Sequence, residues 1–139
     1  MFDNIEEYIF GIKHKPGQFA LLNNDKKIQN FYGKIESEYN LQCMLAIYYP
    51  PGGGLDWHVN NAADMHNALC TYSTSKDSFI QIGEEKIYDK ENEWTVKYTY
   101  WTRKNSIPHR VVSHGKRITF AFSSPNETLV RNFIEILIK

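Results

Sequence analysis

The sequence has no excess charge of either sign, few cysteines and no long apolar run. Among its 139 residues, Lys and Arg together number 16 and Asp and Glu together number 16, so the formal net charge is zero. This balance argues against a wide basic face for long duplex DNA, although not against an enzyme that handles a nucleotide or a short strand. No apolar run is long enough to cross a bilayer, and no charged-then-apolar leader opens the sequence. We therefore expect a soluble, cytoplasmic protein with no membrane partner.

The two cysteines, Cys43 and Cys70, both lie in apolar segments typical of strands. Cysteine in such surroundings usually behaves as a small buried hydrophobic residue. We expect two buried free thiols, with a disulfide between neighbouring strands as the alternative.

The first part of the chain, residues 1–40, has helical character. Between Asn4 and Ile12 the apolar residues recur at helical spacing. A break at Lys15-Pro16-Gly17 follows, and a second helix is predicted from about Asn24 to Tyr39.

Residues 41–123 read differently, as short strands separated by Gly, Pro and Asn turn signals. The predicted strands are Met44–Tyr49, Leu55–Asn60, Ala68–Ser73, Phe79–Ile82, Trp94–Trp101, Val111–Val112 and Arg117–Ser123. Such a series indicates a β-sandwich or a jelly roll.

Residues 124–139 form a predicted C-terminal helix. The segment Ser124-Pro125-Asn126-Glu127 is a helix start signal with Asn126 as the cap, and apolar residues follow at helical spacing. We expect this helix to pack on the outside of the sheet. The length suits one domain, residues 1–139, that is mainly β with flanking helices.

A first candidate site follows the glycine-rich turn Gly52-Gly53-Gly54. Alternate residues of a strand share one face. Strict alternation predicts that the candidate metal-binding side chains share one face, namely Asp56, His58 and Asn60. The opposite face would pack, and it contains Leu55, Trp57 and Val59.

A second candidate cluster runs from His109 to Phe122. Here Arg117 and Thr119 share one predicted strand face, and the apolar Ile118, Phe120 and Phe122 share the other. A buried arginine has to be paired, because burying an isolated charge is costly. A dicarboxylate ligand held by both arms of the guanidinium is one suitable partner.

The order of these groups matters because non-haem iron(II) oxygenases hold the metal on one face with two histidines and a carboxylate. In its motifs the chain resembles the 2-oxoglutarate/iron(II) dioxygenases, particularly the prolyl-hydroxylase-like members, and is similar to small phage-type members. The resemblance covers roughly Leu41 to Ser123. Its residues are Tyr48-Tyr49-Pro50-Pro51-Gly52-Gly53-Gly54, His58-Val59-Asn60, Tyr72, His109 and Arg117.

The resemblance implies a double-stranded β-helix, that is, a jelly-roll or cupin-like fold. It also implies that His58 and His109 bind Fe(II) and that Arg117 binds the distal carboxylate of 2-oxoglutarate. Hydrogen bonds to that carboxylate from Thr119 and Tyr72 are part of the same pattern. Tyr48 would line the pocket, or Tyr49 if the register shifts by one.

Asn60 departs from the pattern, because the family has Asp at this position. An amide is a neutral and weaker metal ligand than a carboxylate. Three interpretations stay open: Asn60 coordinates through its carbonyl oxygen, Asp56 supplies a carboxylate directly or through water, or iron chemistry has been lost.

The expected function is therefore a 2-oxoglutarate- and Fe(II)-dependent oxygenase that hydroxylates a protein, peptide or small-molecule substrate. The alternatives are a catalytically degenerate jelly-roll binding module and a nucleobase-oxidising oxygenase, in which Trp57, Trp94 and Trp101 would stack on bases. Nucleic acid is less favoured because the net charge is zero. A sheet edge offers a homodimer interface as an alternative to a monomer.

The remaining histidines carry weaker signals. His66 and His114 are expected to be solvated loop residues, with Asp64-Met65-His66 as an alternative metal-binding segment. No function is assigned to His14, which lies among lysines.

Overall fold

Three helices flank nine strands in the computed structural model, which describes residues 1–59, 64–102, 104 and 107–139. In chain order the elements are α1 (Ile5–Gly11), β1 (Ala20–Leu21), α2 (Lys26–Tyr39), β2 (Gln42–Tyr49), β3 (Gly54–His58), β4 (Met65–Ser73), β5 (Phe79–Ile82), β6 (Glu85–Tyr88), β7 (Trp94–Trp101), β8 (His109–Val112), β9 (Arg117–Ser124) and α3 (Glu127–Ile138).

The strands form two antiparallel sheets in jelly-roll order. The larger sheet has the order β1-β2-β9-β4-β7, and the smaller sheet has the order β3-β8-β5-β6. Strands β2 to β9 therefore make eight jelly-roll strands, and β1 extends one edge of the larger sheet. The predicted fold class, mainly β with flanking helices in a jelly-roll arrangement, is confirmed.

Strand β9 separates the hydrophobic core from the space between the sheets. All eight of its residues are buried. Ile118, Phe120 and Phe122 face outward into the main core, which the helices cover with Ile9, Ile28, Val130 and Phe133. A second, smaller cluster lies between the sheets and includes Ile47, Tyr49 and Val111. The space between the sheets is only partly filled, and a cavity remains there.

The predicted helices are present with slightly shorter bounds. The Asn126 cap is confirmed, since its side-chain oxygen accepts hydrogen bonds from the amides of Thr128 and Leu129. The Asp25 side chain caps α2 in the same way, at Ile28. Sequence reasoning missed β1, which has two residues, and β6, whose pattern of Glu, Lys, Ile and Tyr is weakly apolar.

Both cysteines are free thiols, as predicted. Cys43 is partly buried on β2 and Cys70 is fully buried on β4. Burial raises the pKa of Cys43 to about 12 and also raises the pKa of Cys70. Neither thiol is therefore set up as a nucleophile.

No helix in the described part of the chain combines the length and the apolar character that a membrane span requires.

Gly54 lets β3 lie close against β8. The two strands pair from Gly54 opposite Val112 to His58 opposite His109. A Cβ atom on Gly54 would overlap the carbonyl oxygen of Val111. The glycine-rich turn thus sets the distance between the two strands that carry the candidate histidines.

Replacing Gly54 with Ala should lower the free energy of unfolding by about 2 kcal/mol, because the backbone of β8 would have to move. Urea denaturation measures the change. Gly33→Ala is the matched control: its Cβ meets no atom within 4 Å on α2, so this variant should be neutral or up to about 1 kcal/mol more stable. Equal stability of the two variants would contradict this account of Gly54.

Candidate functional site

A cavity of about 390 Å³ opens between the two sheets. Most of its wall is apolar, and its polar side chains come from both sheets and from the residue that follows β6. The lining residues central to its chemistry are His58, His109, Arg117, Asp89, Thr119 and Lys97. Pockets of this kind, apolar with a few convergent polar groups, are the usual setting for small-molecule binding.

His58 and His109 lie side by side in this cavity. His58 ends β3 and His109 begins β8, and the two are register partners. Their ring centroids are 4.1 Å apart with the rings inclined at 63°. Two imidazoles at this separation can contribute ligands to a single metal ion.

Each ring is oriented by a backbone carbonyl two residues earlier. The Nδ1 atom of His58 lies 2.7 Å from the Asp56 carbonyl oxygen, and Nδ1 of His109 lies 2.9 Å from the Ile107 carbonyl oxygen. A carbonyl oxygen only accepts, so Nδ1 carries the proton and Nε2 carries the lone pair. This second contact is typical of metal-binding histidines.

The environment of His109 favours the neutral imidazole. The residue is 4% exposed, and Trp101 stacks on its ring with centroids 4.5 Å apart. Burial lowers the pKa of His109, and the nearby His58 lowers it further, against the opposing effect of the Ile107 carbonyl. A neutral ring is the form that binds a metal.

Arg117 is buried, as predicted, and its partner is a carboxylate of the protein. Its Nε donates to Asp89 Oδ2 at 2.8 Å and its Nη2 donates to Asp89 Oδ1 at 3.3 Å. The side chains are 3% and 6% exposed, respectively. The guanidinium therefore makes a two-point ion pair inside the cavity, where sequence analysis placed a dicarboxylate ligand.

Thr119 extends this polar group along the wall. It accepts a hydrogen bond from Arg117 Nη1 at 3.1 Å and shares a 3.0 Å hydrogen bond with the Thr71 hydroxyl. The Arg117 guanidinium also lies over the Tyr49 ring, 5.5 Å from its centroid. The predicted shared face of Arg117 and Thr119 is thus present.

The structure does not place Tyr48 and Tyr72 in the cavity. Tyr48 packs in the core between the larger sheet and the helices, and its ring stacks on His14. Tyr72 contacts Phe10 and Trp94 on the same outer side. The neighbours Tyr49 and Thr71 line the cavity instead. The preferred prediction was one residue out of register, and the stated alternative, Tyr49, is the residue that lines the pocket.

Asp56 also lies away from the cavity wall. The pairing of β3 with β8 shifts by one residue between Leu55 and His58, which is a β-bulge. Because the bulge breaks strict alternation, Leu55 and His58 both line the cavity. Asp56 is exposed, and its carboxylate accepts a hydrogen bond from the backbone amide of Trp57. The predicted face of Asp56, His58 and Asn60 is therefore wrong for Asp56. Asn60 lies outside the described residues.

The other histidines lie elsewhere. His66 is on β4, not in a loop: its Nδ1 is 2.6 Å from the Tyr98 hydroxyl, and its ring stacks on Tyr100. His114 is exposed in a loop, as expected. Across the described residues, no group of three His, Cys, Asp or Glu side chains is placed to hold a metal, which includes the alternative at Asp64-Met65-His66.

Sequence reasoning missed Asp89 and Lys97. Asp89 follows β6. The sequence indicated that a buried arginine needs a carboxylate partner, but not which carboxylate it would be. Lys97 lies on the predicted strand Trp94–Trp101, on the face that Thr95 and Trp101 share. Lys97 points to the cavity only because this face of the strand is the inner one. The strand has aromatic residues on both faces, so the sequence pattern does not indicate which face is inside.

Comparisons with known proteins leave the family open. No protein-family model matches the chain, and no curated protein matches it. Among solved structures, it is similar to KdgF from Halomonas sp., with 13% identity and a TM-score of 0.35 over 59% of this chain and 68% of that one. A likeness at this level assigns neither family nor activity.

Removing the Asp89 charge should destabilise the protein strongly. In Asp89→Asn the buried guanidinium loses its counter-charge, so the free energy of unfolding should fall by about 3 kcal/mol or more. The control is Glu93→Gln, which breaks the exposed Lys90–Glu93 pair and should cost less than about 1 kcal/mol. Denaturant titration of both variants gives the comparison; similar losses would mean that the buried pair contributes no more than the surface one.

Acid should destabilise the fold in part through His109. Since its pKa is lowered in the folded state, the unfolded chain takes up a proton first as the pH falls below about 6.5, and the free energy of unfolding falls from there towards the folded-state pKa. His109→Gln should flatten this dependence, whereas His114→Gln at an exposed position should preserve it. Unfolding free energies measured at several pH values between about 8 and 5 test this. Identical slopes for the parent and His109→Gln would contradict it.

Proposed function

We propose that this protein is a 2-oxoglutarate- and Fe(II)-dependent oxygenase that hydroxylates a protein or small-molecule substrate. The observation that carries the proposal is the pair of histidines, His58 and His109, which meet in a largely apolar cavity with both rings held through Nδ1. The same cavity contains the buried Arg117. These are the residues, in the same chain order, on which the resemblance to the dioxygenases depends.

The donor set fits the metal in part. His58 and His109 would hold Fe(II) through Nε2, and neutral imidazole is a suitable ligand for iron. The family's third ligand is a carboxylate, and the sequence has Asn60 at that position. When bound, iron and 2-oxoglutarate would together supply the oxidising chemistry.

The protein's own residues would hold the histidine rings in place and keep bulk water out of the cavity. Trp101 stacks on His109, so packing as well as the hydrogen bond to the Ile107 carbonyl oxygen would hold the ring in place. Leu55, Val111 and Leu69 are among the apolar residues that line the same cavity as the histidines. An apolar wall shields a reactive centre from side reactions with bulk water.

The positions of the tryptophans favour a protein or small-molecule substrate over a nucleobase. Of the three tryptophans considered for base stacking, Trp94 packs in the outer core against Phe2 and Trp101 stacks on His109. Only Trp57 among them is strongly exposed, with Arg110 over its ring.

A second candidate function is a non-catalytic binding module. The specific observation in its favour is the Arg117–Asp89 ion pair, which satisfies the arginine without a co-substrate. Asn60 in place of a carboxylate favours the same alternative. Such a module would use the cavity to bind a small ligand or a peptide without turnover.

Anaerobic titration with Fe(II) and 2-oxoglutarate should produce a weak visible charge-transfer band, because the co-substrate would chelate an iron held by the histidines. His58→Ala and His109→Ala should each abolish the band by removing one of two described ligands. His114→Ala, in an exposed loop, is the matched control and should retain it.

A folded parent protein that gives no band would overturn the oxygenase proposal and leave the binding module. In that case Asn60→Asp is informative, since iron binding that appears only in this variant identifies the parent as degenerate. If the parent gives the band, succinate formation in air then tests turnover.

A further inference from the structure

We infer that Lys97, not Arg117, is the cation that anchors the carboxylate of a ligand in the cavity. The inference deepens the proposed function, because it names the residue that would hold the distal carboxylate of the co-substrate. It depends on two independent observations: Arg117 is already neutralised inside the protein, and Lys97 lines the same cavity.

Arg117 has little positive charge left to offer. Both oxygens of Asp89 accept from its Nε and Nη2, and Thr119 accepts from its Nη1. With both side chains almost fully buried, separation of the pair would leave an uncompensated charge on each side. A ligand carboxylate that approached Arg117 would also meet the negative charge of Asp89.

Lys97 lies in the middle of β7 and within the cavity wall. Its register partner on β4 is Leu69, which in turn pairs with Ala121 on β9, and both of these residues line the cavity. The neighbouring row of the same sheet contains Thr71, Thr95 and Thr119. A carboxylate bound at Lys97 would therefore have hydroxyl groups one row away.

No carboxylate of the described residues lies within ion-pair distance of Lys97. Apart from the two histidines, the charged side chains of the described residues that line the cavity are Arg117, Asp89 and Lys97. Arg117 and Asp89 form an ion pair with each other, which leaves Lys97 as the cation that can meet a ligand carboxylate. Lys97 is half-buried, and a hydrogen bond between an ammonium group and a carboxylate is stronger than one between neutral groups. The ligand class is a carboxylate attached to a short apolar stem, which would contact Leu69 and Val111.

The test uses succinate as the probe, because it carries the distal carboxylate but no keto group for metal chelation. Succinate binding to the full chain without metal, measured by calorimetry, should weaken by about tenfold or more in Lys97→Met. Lys97→Arg should retain most of the affinity, since it keeps the charge. Lys76→Met, which removes an exposed lysine, is the matched control and should bind like the parent.

Two further outcomes keep the inference separate from the proposed function. Lys97-dependent succinate binding in a protein that gives no iron band would support the inference and reject the oxygenase. An iron band together with unchanged succinate affinity in Lys97→Met, or no succinate binding by the parent, would overturn the inference. Thermal melting of Lys97→Met and Lys97→Gln identifies loss of folding; if Lys97→Met is unfolded, Lys97→Gln supplies the affinity comparison.

Discussion

The packing of the helices against the outer face of the larger sheet is the interaction on which the rest of the structure depends. Ile118, Phe120 and Phe122 of β9 are fully buried there. Burial of apolar side chains is the main favourable contribution to folding, and this outer core supplies most of it. The inner face of the same strand is thereby released from the need to be apolar, so it can hold Arg117 and Thr119 beside a cavity.

The site also depends on the exact register of β3 with β8, the strands that carry the two histidines. The β3 bulge moves His58 onto the cavity side and into register with His109. Contacts of both rings with backbone carbonyls then select one tautomer. Since these contacts come from the chain's own backbone two residues earlier, the orientation of the rings depends on local geometry and not on distant side chains.

The sequence predicts those features that depend on periodicity and local signals, and misses those that depend on exact register. The alternation along β9 and the Asn126 cap were predictable because each is encoded within a few residues. Asp56 was misplaced because a bulge inserts one residue without a clear sequence signal. Tyr48 was misplaced by one residue in a run that is apolar throughout, where both faces are buried and the pattern does not distinguish them. Asp89 is 28 positions from its partner Arg117, and no local pattern reports that distance.

The Arg117–Asp89 pair decides how the cavity can discriminate among ligands. A buried arginine alone would attract any anion, whereas a neutralised arginine contributes shape and directed hydrogen bonds with little net charge. The selectivity of the cavity for its ligand then depends on Lys97, whose charge is not neutralised, and on the apolar wall around it. Among the described residues of the cavity wall, Lys97 offers a counter-charge to one carboxylate, because Arg117 is paired with Asp89. The second carboxylate of a ligand would gain a counter-charge from a metal at His58 and His109. A dicarboxylate such as succinate would therefore use one carboxylate in the metal-free protein, and a bound metal would add selectivity for the second carboxylate.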